Sequence, residues 1–208
     1  MKFYVLELKS EWAVGKTPDS PARNLWSTAQ EVARINGDSE KCPICGRHVS
    51  MLSWLPPRKM RLIGKRYPDR LVDDLYEPLI VSDRFVEMFR HEKLSGVSEF
   101  APIEVVNTTD SPNYYLGHVL FNQSVKIDLF NTIVEGQPKE WSCPICNPWG
   151  TSKDKILKLA LSTTSWDGQD IMRLYAFGTI VSERFYDCVR QYKLTNFVMS
   201  AVDKYQWP

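Results

Sequence analysis

A four-residue motif, Cys-Pro-Ile-Cys, occurs twice in this chain, with its cysteines at Cys42 and Cys45 and again at Cys143 and Cys146. A second pair of matching segments lies downstream of both. Residues 80–94 and 180–194 are identical at eight of fifteen positions, where about one match is expected from average composition. The cysteine motifs are offset by 101 residues and the downstream segments by 100. A repeat of about a hundred residues is too long for a solenoid unit and suits a domain. The chain therefore reads as two diverged repeats, 1–106 and 107–208, each carrying one cysteine knuckle and packed together as one globular unit.

Two thiolates separated by two residues suit Zn²⁺, because a tight knuckle brings both sulfurs to about 2.3 Å from one tetrahedral ion. Proline after the first cysteine stiffens the turn. Gly46 after the second lets the backbone pass under the metal, and Asn147, the next most permissive residue, stands in the equivalent place. Two half-sites at matching places in two repeats predict one closed, structural Zn²⁺ site made of Cys42, Cys45, Cys143 and Cys146. Four thiolates leave no open position, so the metal is expected to be structural and no catalytic residue is assigned. Two alternatives compete. His48 lies close enough to Cys45 to act as a ligand or as a donor to a sulfur. A redox-active CxxC is the other, but it wants its first cysteine at a helix N-terminus, and the residues after both knuckles are poor helix starters.

The repeated helix is the clearest element. Ser82 and Ser182 are good N-caps, and Asp83 and Glu183 place negative charge at the positive end of the helix dipole. Phe85, Met88 and Phe89 match Phe185, Cys188 and Val189, and this i, i+3, i+4 spacing gives each helix one apolar face. Closure is expected at Gly96 and Asn196, with strands over 97–106 and 197–202. Strands are also expected near the N-terminus and over 114–121 and 125–130, a short helix over 27–35, and a loop over 15–24. The predicted class is α+β, with two repeats of mainly antiparallel strands, one matching helix each, joined by the zinc-knuckle pair.

Composition excludes several classes. A hydrophobic share of 43% with 25% charged residues argues against disorder. The net charge of +1 provides no global field to draw in nucleic acid or anionic membrane. The N-terminal residues lack the apolar core of a signal peptide, and no apolar run approaches bilayer length. These features place the chain in the cytoplasm, where thiols stay reduced. Cys188 reads as a small buried hydrophobe, His91 as a surface residue and His118 as a structural histidine. Asp73, Asp74, Asp167 and Asp170 read as turn residues, and Trp54, Trp141 and Trp149 as shields for the metal and core. The basic run Arg58, Lys59, Arg61, Lys65, Arg66 and Arg70 supports an alternative function, a zinc-ribbon protein that binds nucleic acid or regulates through it.

The two knuckles a hundred residues apart, together with the Val-Ser-(Asp/Glu)-Arg-Phe helix, resemble the bacterial double-CXXCG-motif family and the related immunity proteins of polymorphic toxin systems. The resemblance runs from about Cys42 to the C-terminus and departs from the family pattern at Asn147 and in the long N-terminal segment. It implies a small non-enzymatic protein of the cytoplasm that binds and neutralises a cognate protein toxin.

Overall fold

The computed structural model describes residues 1–7, 26–49, 52–71, 79–122, 124–128, 130–135, 143, 155–174 and 178–206. It is an α+β fold of mostly antiparallel strands with two α-helices. The first part of the chain forms β1 (Phe3–Leu6), β2 (Thr28–Asn36), β3 (Trp54–Ile63), β4 (Arg70–Leu71), β5 (Leu79–Ser82), α1 (Asp83–His91) and β6 (Val97–Val105). The second part forms β7 (Tyr114–Val119), β8 (Lys126–Ile127), β9 (Ile133–Glu135), β10 (Lys155–Lys158), β11 (Leu161–Ser162), β12 (Ile171–Leu174), β13 (Gly178–Ser182), α2 (Glu183–Gln191) and β14 (Met199–Ala201). One sheet runs β2-β3-β6-β7-β5-β4, a second runs β12-β13-β1-β14, and β9 with β10 and β8 with β11 form small ribbons.

The two main sheets share one plan. In each, a hairpin (β4-β5 or β12-β13) leads into a helix, and the strand after the helix (β6 or β14) returns to the same sheet. The gap between hairpin and returning strand is filled from the other repeat. β1 lies between β13 and β14, with Phe3 opposite Ser182. β7 lies between β5 and β6, with Tyr114 opposite Ser82. The first strand of each repeat thus completes the sheet of the other. β1 is buried on both faces. Phe3 and Val5 join a cluster with Met172, Leu174 and Ile180, while Tyr4 and Leu6 turn to the cluster under the helices. That two-sided burial accounts for its run of four apolar residues.

Both helices share one core. Phe85, Met88, Phe89, Phe185, Cys188 and Val189 are buried in the same cluster, and the Phe85 and Phe185 rings lie 6.0 Å apart. Each capping serine accepts a hydrogen bond from the third helical residue, Phe85 N–H on Ser82 and Phe185 N–H on Ser182. The C-terminal closure differs from expectation. The left-handed residues that end the helices are Lys93 (φ +52°) and Lys193 (φ +51°). Leu94 N–H donates to Phe89 and Lys93 N–H to Arg90, the paired bonds of a Schellman motif, and Leu194 and Lys193 repeat them. Gly96 instead serves the junction between repeats. Its φ is +102°, and a Cβ there would lie 1.7 Å from the Ile171 carbonyl oxygen. At the matching position Asn196 donates its side-chain amide to the Arg70 carbonyl.

A buried aspartate locks each junction. Asp69 accepts from Ser82 Oγ (2.8 Å), Arg84 Nη1 (3.0 Å) and, from the other repeat, Thr195 N–H and Oγ1 (2.9 Å each). Asp170 accepts from Ser182 Oγ (2.9 Å), Arg184 Nη1 (3.2 Å) and, across the junction, Ser95 N–H (3.1 Å) and Oγ (3.3 Å). Arg84 and Arg184 complete the exchange by donating to the Tyr192 and Glu92 carbonyls of the opposite helix end. The carboxylates are 4% and 2% exposed, so these donors replace the water they have lost. The turn expected around Asp170 is correct for Asp167, which accepts from Asn122 and Gln169 N–H, but Asp170 itself is a buried junction residue.

The helix expected over 27–35 is a strand. β2 pairs antiparallel with the ten-residue β3 through two register shifts, and Thr28, Val32 and Ile35 supply β-branched residues. The bulges blur the period of two, which lets a helical spacing show through. Gly37, expected to close a helix, instead extends the ladder one step past Asn36, its N–H donating to the Ser53 carbonyl. Strand β8 is shorter than the expected 125–130, and the loop expected over 15–24 lies outside the described residues, as do Asp73 and Asp74.

Replacing either aspartate by alanine strands a capping serine and an arginine and releases the loop of the other repeat. Asp69→Ala and Asp170→Ala should each lower unfolding free energy by about 2–3 kcal/mol, discounted because Arg84 and Arg184 are half exposed and can rehydrate. Urea melts check this. Equal losses are expected, because the two locks are built alike.

Candidate metal centre

Cys42 sits at the base of a miniature hairpin. Lys41 and His48 form an antiparallel bridge, Cys42 N–H donates to the Arg47 carbonyl (2.7 Å) and Gly46 N–H to the Cys42 carbonyl (2.9 Å). Gly46 holds φ at +72°, the left-handed turn for which glycine was expected. The chain leaving this knuckle runs into the hairpin's return strand, which denies Cys42 the helix N-terminus that lowers a redox thiol's pKa.

The two knuckles meet. Cys42 Sγ lies 3.8 Å from Cys143 Sγ, and the sulfurs of Cys42, Cys45 and Cys143 all fall within 4.8 Å of one another. Cys42 and Cys143 are each 2% exposed, whereas Cys45 faces solvent. The donor set passes a simple geometric test. Sulfurs at the corners of a tetrahedron with about 2.3 Å metal bonds are about 3.8 Å apart, the spacing of the Cys42–Cys143 pair. A disulfide would need about 2.05 Å. The cluster is therefore consistent with a metal site such as zinc. The fourth expected ligand, Cys146, lies outside the described residues.

Val49 and Phe121 pack around Cys42 and Cys143. Trp54, expected to shield the metal and build core, is a core residue under the six-stranded sheet with Met60, Leu71 and Tyr114 and not part of the cluster around the thiols, while Trp141 and Trp149 lie outside the described residues. His48 is turned to the surface, where its Nδ1 meets Ser39 Oγ at 2.7 Å. Among the described residues the metal-ligating cluster is the three cysteines, without it.

The remaining candidates settle into the fold. Cys188 is buried between the helices, and burial, reinforced by the Glu92 carboxylate, pushes its thiol pKa up, away from nucleophilic use. His91 is exposed and shares hydrogen bonds with Glu92 and Tyr192, and His118 is half-buried on β7. The basic run divides, with Arg61, Lys65 and Arg66 exposed and the other three engaged or buried. Arg58 donates to the Trp54 carbonyl (2.6 Å), Lys59 pairs with Glu104 (3.0 Å), and Arg70 is buried in β4. Sequence reading missed Asp69 and Asp170 as junction residues. A signal was present, because an aspartate precedes the capping serine by 13 residues in one repeat and 12 in the other.

No family model matches this chain, and no curated protein matches it. Among the described residues, no helix is long and apolar enough to cross a membrane.

Cobalt offers a direct check on the donor set. Titrating Co²⁺ into metal-free, reduced protein should produce the intense visible and thiolate charge-transfer bands of a sulfur-rich tetrahedral site. Cys42→Ser and Cys143→Ser should each abolish or shift those bands. A weak, octahedral spectrum unchanged by either substitution would contradict the site.

Proposed function

We propose that this chain is a non-enzymatic binding protein of the immunity type, which neutralises a cognate bacterial toxin in the cytoplasm. One structural Zn²⁺, held by Cys42, Cys45, Cys143 and Cys146, bridges the repeats and fixes the surface that meets the toxin. The meeting of Cys42 and Cys143, one from each knuckle and 3.8 Å apart, carries the bridging site. Cys146 is assigned as the fourth ligand by the repeat, since it stands to Cys143 as Cys45 stands to Cys42. The immunity reading rests on the motifs shared with the double-CXXCG family. A closed thiolate set suits a metal that holds shape, not one that activates water.

The alternative is a zinc-ribbon nucleic-acid binder. Arg61, Lys65 and Arg66 are exposed, but the engagement of Arg58 and Lys59 with protein groups and the burial of Arg70 halve the row of cations that phosphate tracking needs, which favours a protein partner.

Co-expression tests the reading. Cells carrying a candidate toxin encoded beside this chain should grow when the wild-type chain is present and fail with Cys143→Ser. Rescue of growth by Cys143→Ser to the wild-type level, or no rescue by the wild type, would contradict it.

A further inference from the structure

The repeats differ where each helix meets the strand that follows it. In the first, the Phe89 and Phe100 rings meet edge to face with centroids 5.2 Å apart, and Phe100 also packs against Phe85. Phe100 lies opposite Gly117 on β7, as Met199 lies opposite Leu6 on β1, so the two positions correspond. Val189 takes the place of Phe89. Two rings in one repeat are thus a valine and a methionine in the other. Beside α2 and β14 the surface opens into a groove of about 320 Å³, floored by Val189, Leu194, Phe197 and Met199 and walled by Tyr186.

Two cations, Arg190 and Lys193, line the same groove, and none of its described lining residues is acidic. Arg190 is held in place. Its guanidinium lies 5.6 Å from the Tyr186 ring centre and donates to the Tyr186 hydroxyl at 2.9 Å. Tyr186 in turn stacks on Tyr4 of the exchanged strand, with ring centres 4.1 Å apart. An apolar floor beside the positioned Arg190 and the exposed Lys193 complements an apolar side chain flanked by carboxylates. The volume lies at the lower end of ligand sites, enough for one anchoring side chain.

We propose that this groove receives an acidic segment of the protein partner, with one large apolar side chain seated between α2 and β14 and its neighbouring carboxylates on Arg190 and Lys193. The identity of that partner as a toxin rests on the function proposed above; the groove chemistry does not.

The test is an NMR titration of the full, zinc-loaded chain with a capped Glu-Asp-Phe-Asp-Glu peptide. Shifts should centre on residues 186–199 and vanish when the peptide's Phe is replaced by Ala. The variant Met199→Phe, which adds a ring at the half-buried part of the groove floor, should keep its zinc and bind at least tenfold more weakly. Arg190→Glu with Lys193→Glu, a surface change that leaves the core intact, should do the same. No shifts, shifts elsewhere, or wild-type binding by the charge-reversed variant would overturn the proposal. So would groove shifts produced by a uridine oligonucleotide instead of the peptide, or by raising the concentration of the chain alone, which would assign the groove to nucleic acid or to a second copy. Should groove variants still protect cells that Cys143→Ser does not, the groove proposal fails while the immunity function stands. Peptide binding at the groove by a chain that protects against no toxin supports the groove and removes the immunity function.

Discussion

Neither repeat holds its own first strand, and the other features of the junction follow from that constraint. β1 and β7 each occupy the central gap of the other repeat's sheet, so separating the repeats would break four strand ladders and open the core shared by the helices. The aspartate locks secure this arrangement at the points where the chains cross. Each carboxylate bonds the cap and arginine of its own helix and the loop closing the opposite one. Cap, helix, exchanged strand and junction therefore form one cooperative set, not four separate contributions.

The knuckles stand apart from this core. Around their thiols the described apolar residues are Val49 and Phe121. A metal bound by these thiols would contribute folding free energy directly. An ion between Cys42 and Cys143 also closes a loop of about a hundred residues, at an entropy cost that grows slowly with length and is largely met already by the locked junction. A metal held there would fix the knuckles to a scaffold that the strand exchange has already assembled.

What could be read from the sequence was local. The helix N-caps, the apolar helix faces, the β1 strand and the Gly46 turn all depend on neighbours within a few residues, and each appears where the pattern puts it. The meeting of Cys42 with Cys143 was legible only because the repeat pointed to it. Longer-range features were hidden. Nothing near Phe3 indicates that its partner is Ser182, and strand exchange leaves the hydrophobic period of both strands unchanged. Asp170 sits in a Gly-containing turn sequence that conceals its burial. Lys93 adopts a left-handed backbone that glycine usually takes, because the hydrogen bonds of Leu94 and Lys93 to the helix end hold it there. β2 went unrecognised for a related reason, since its strand state depends on pairing with β3 and not on its own period.

Metal stoichiometry by native mass spectrometry tests the bridging site most directly. The account predicts one zinc per chain, lost from Cys42→Ser and equally from Cys143→Ser, because a ligand from either knuckle serves the same ion. Two zincs per chain, or a single zinc that survives substitution in one knuckle, would mean that the knuckles bind separately and that no metal joins the repeats.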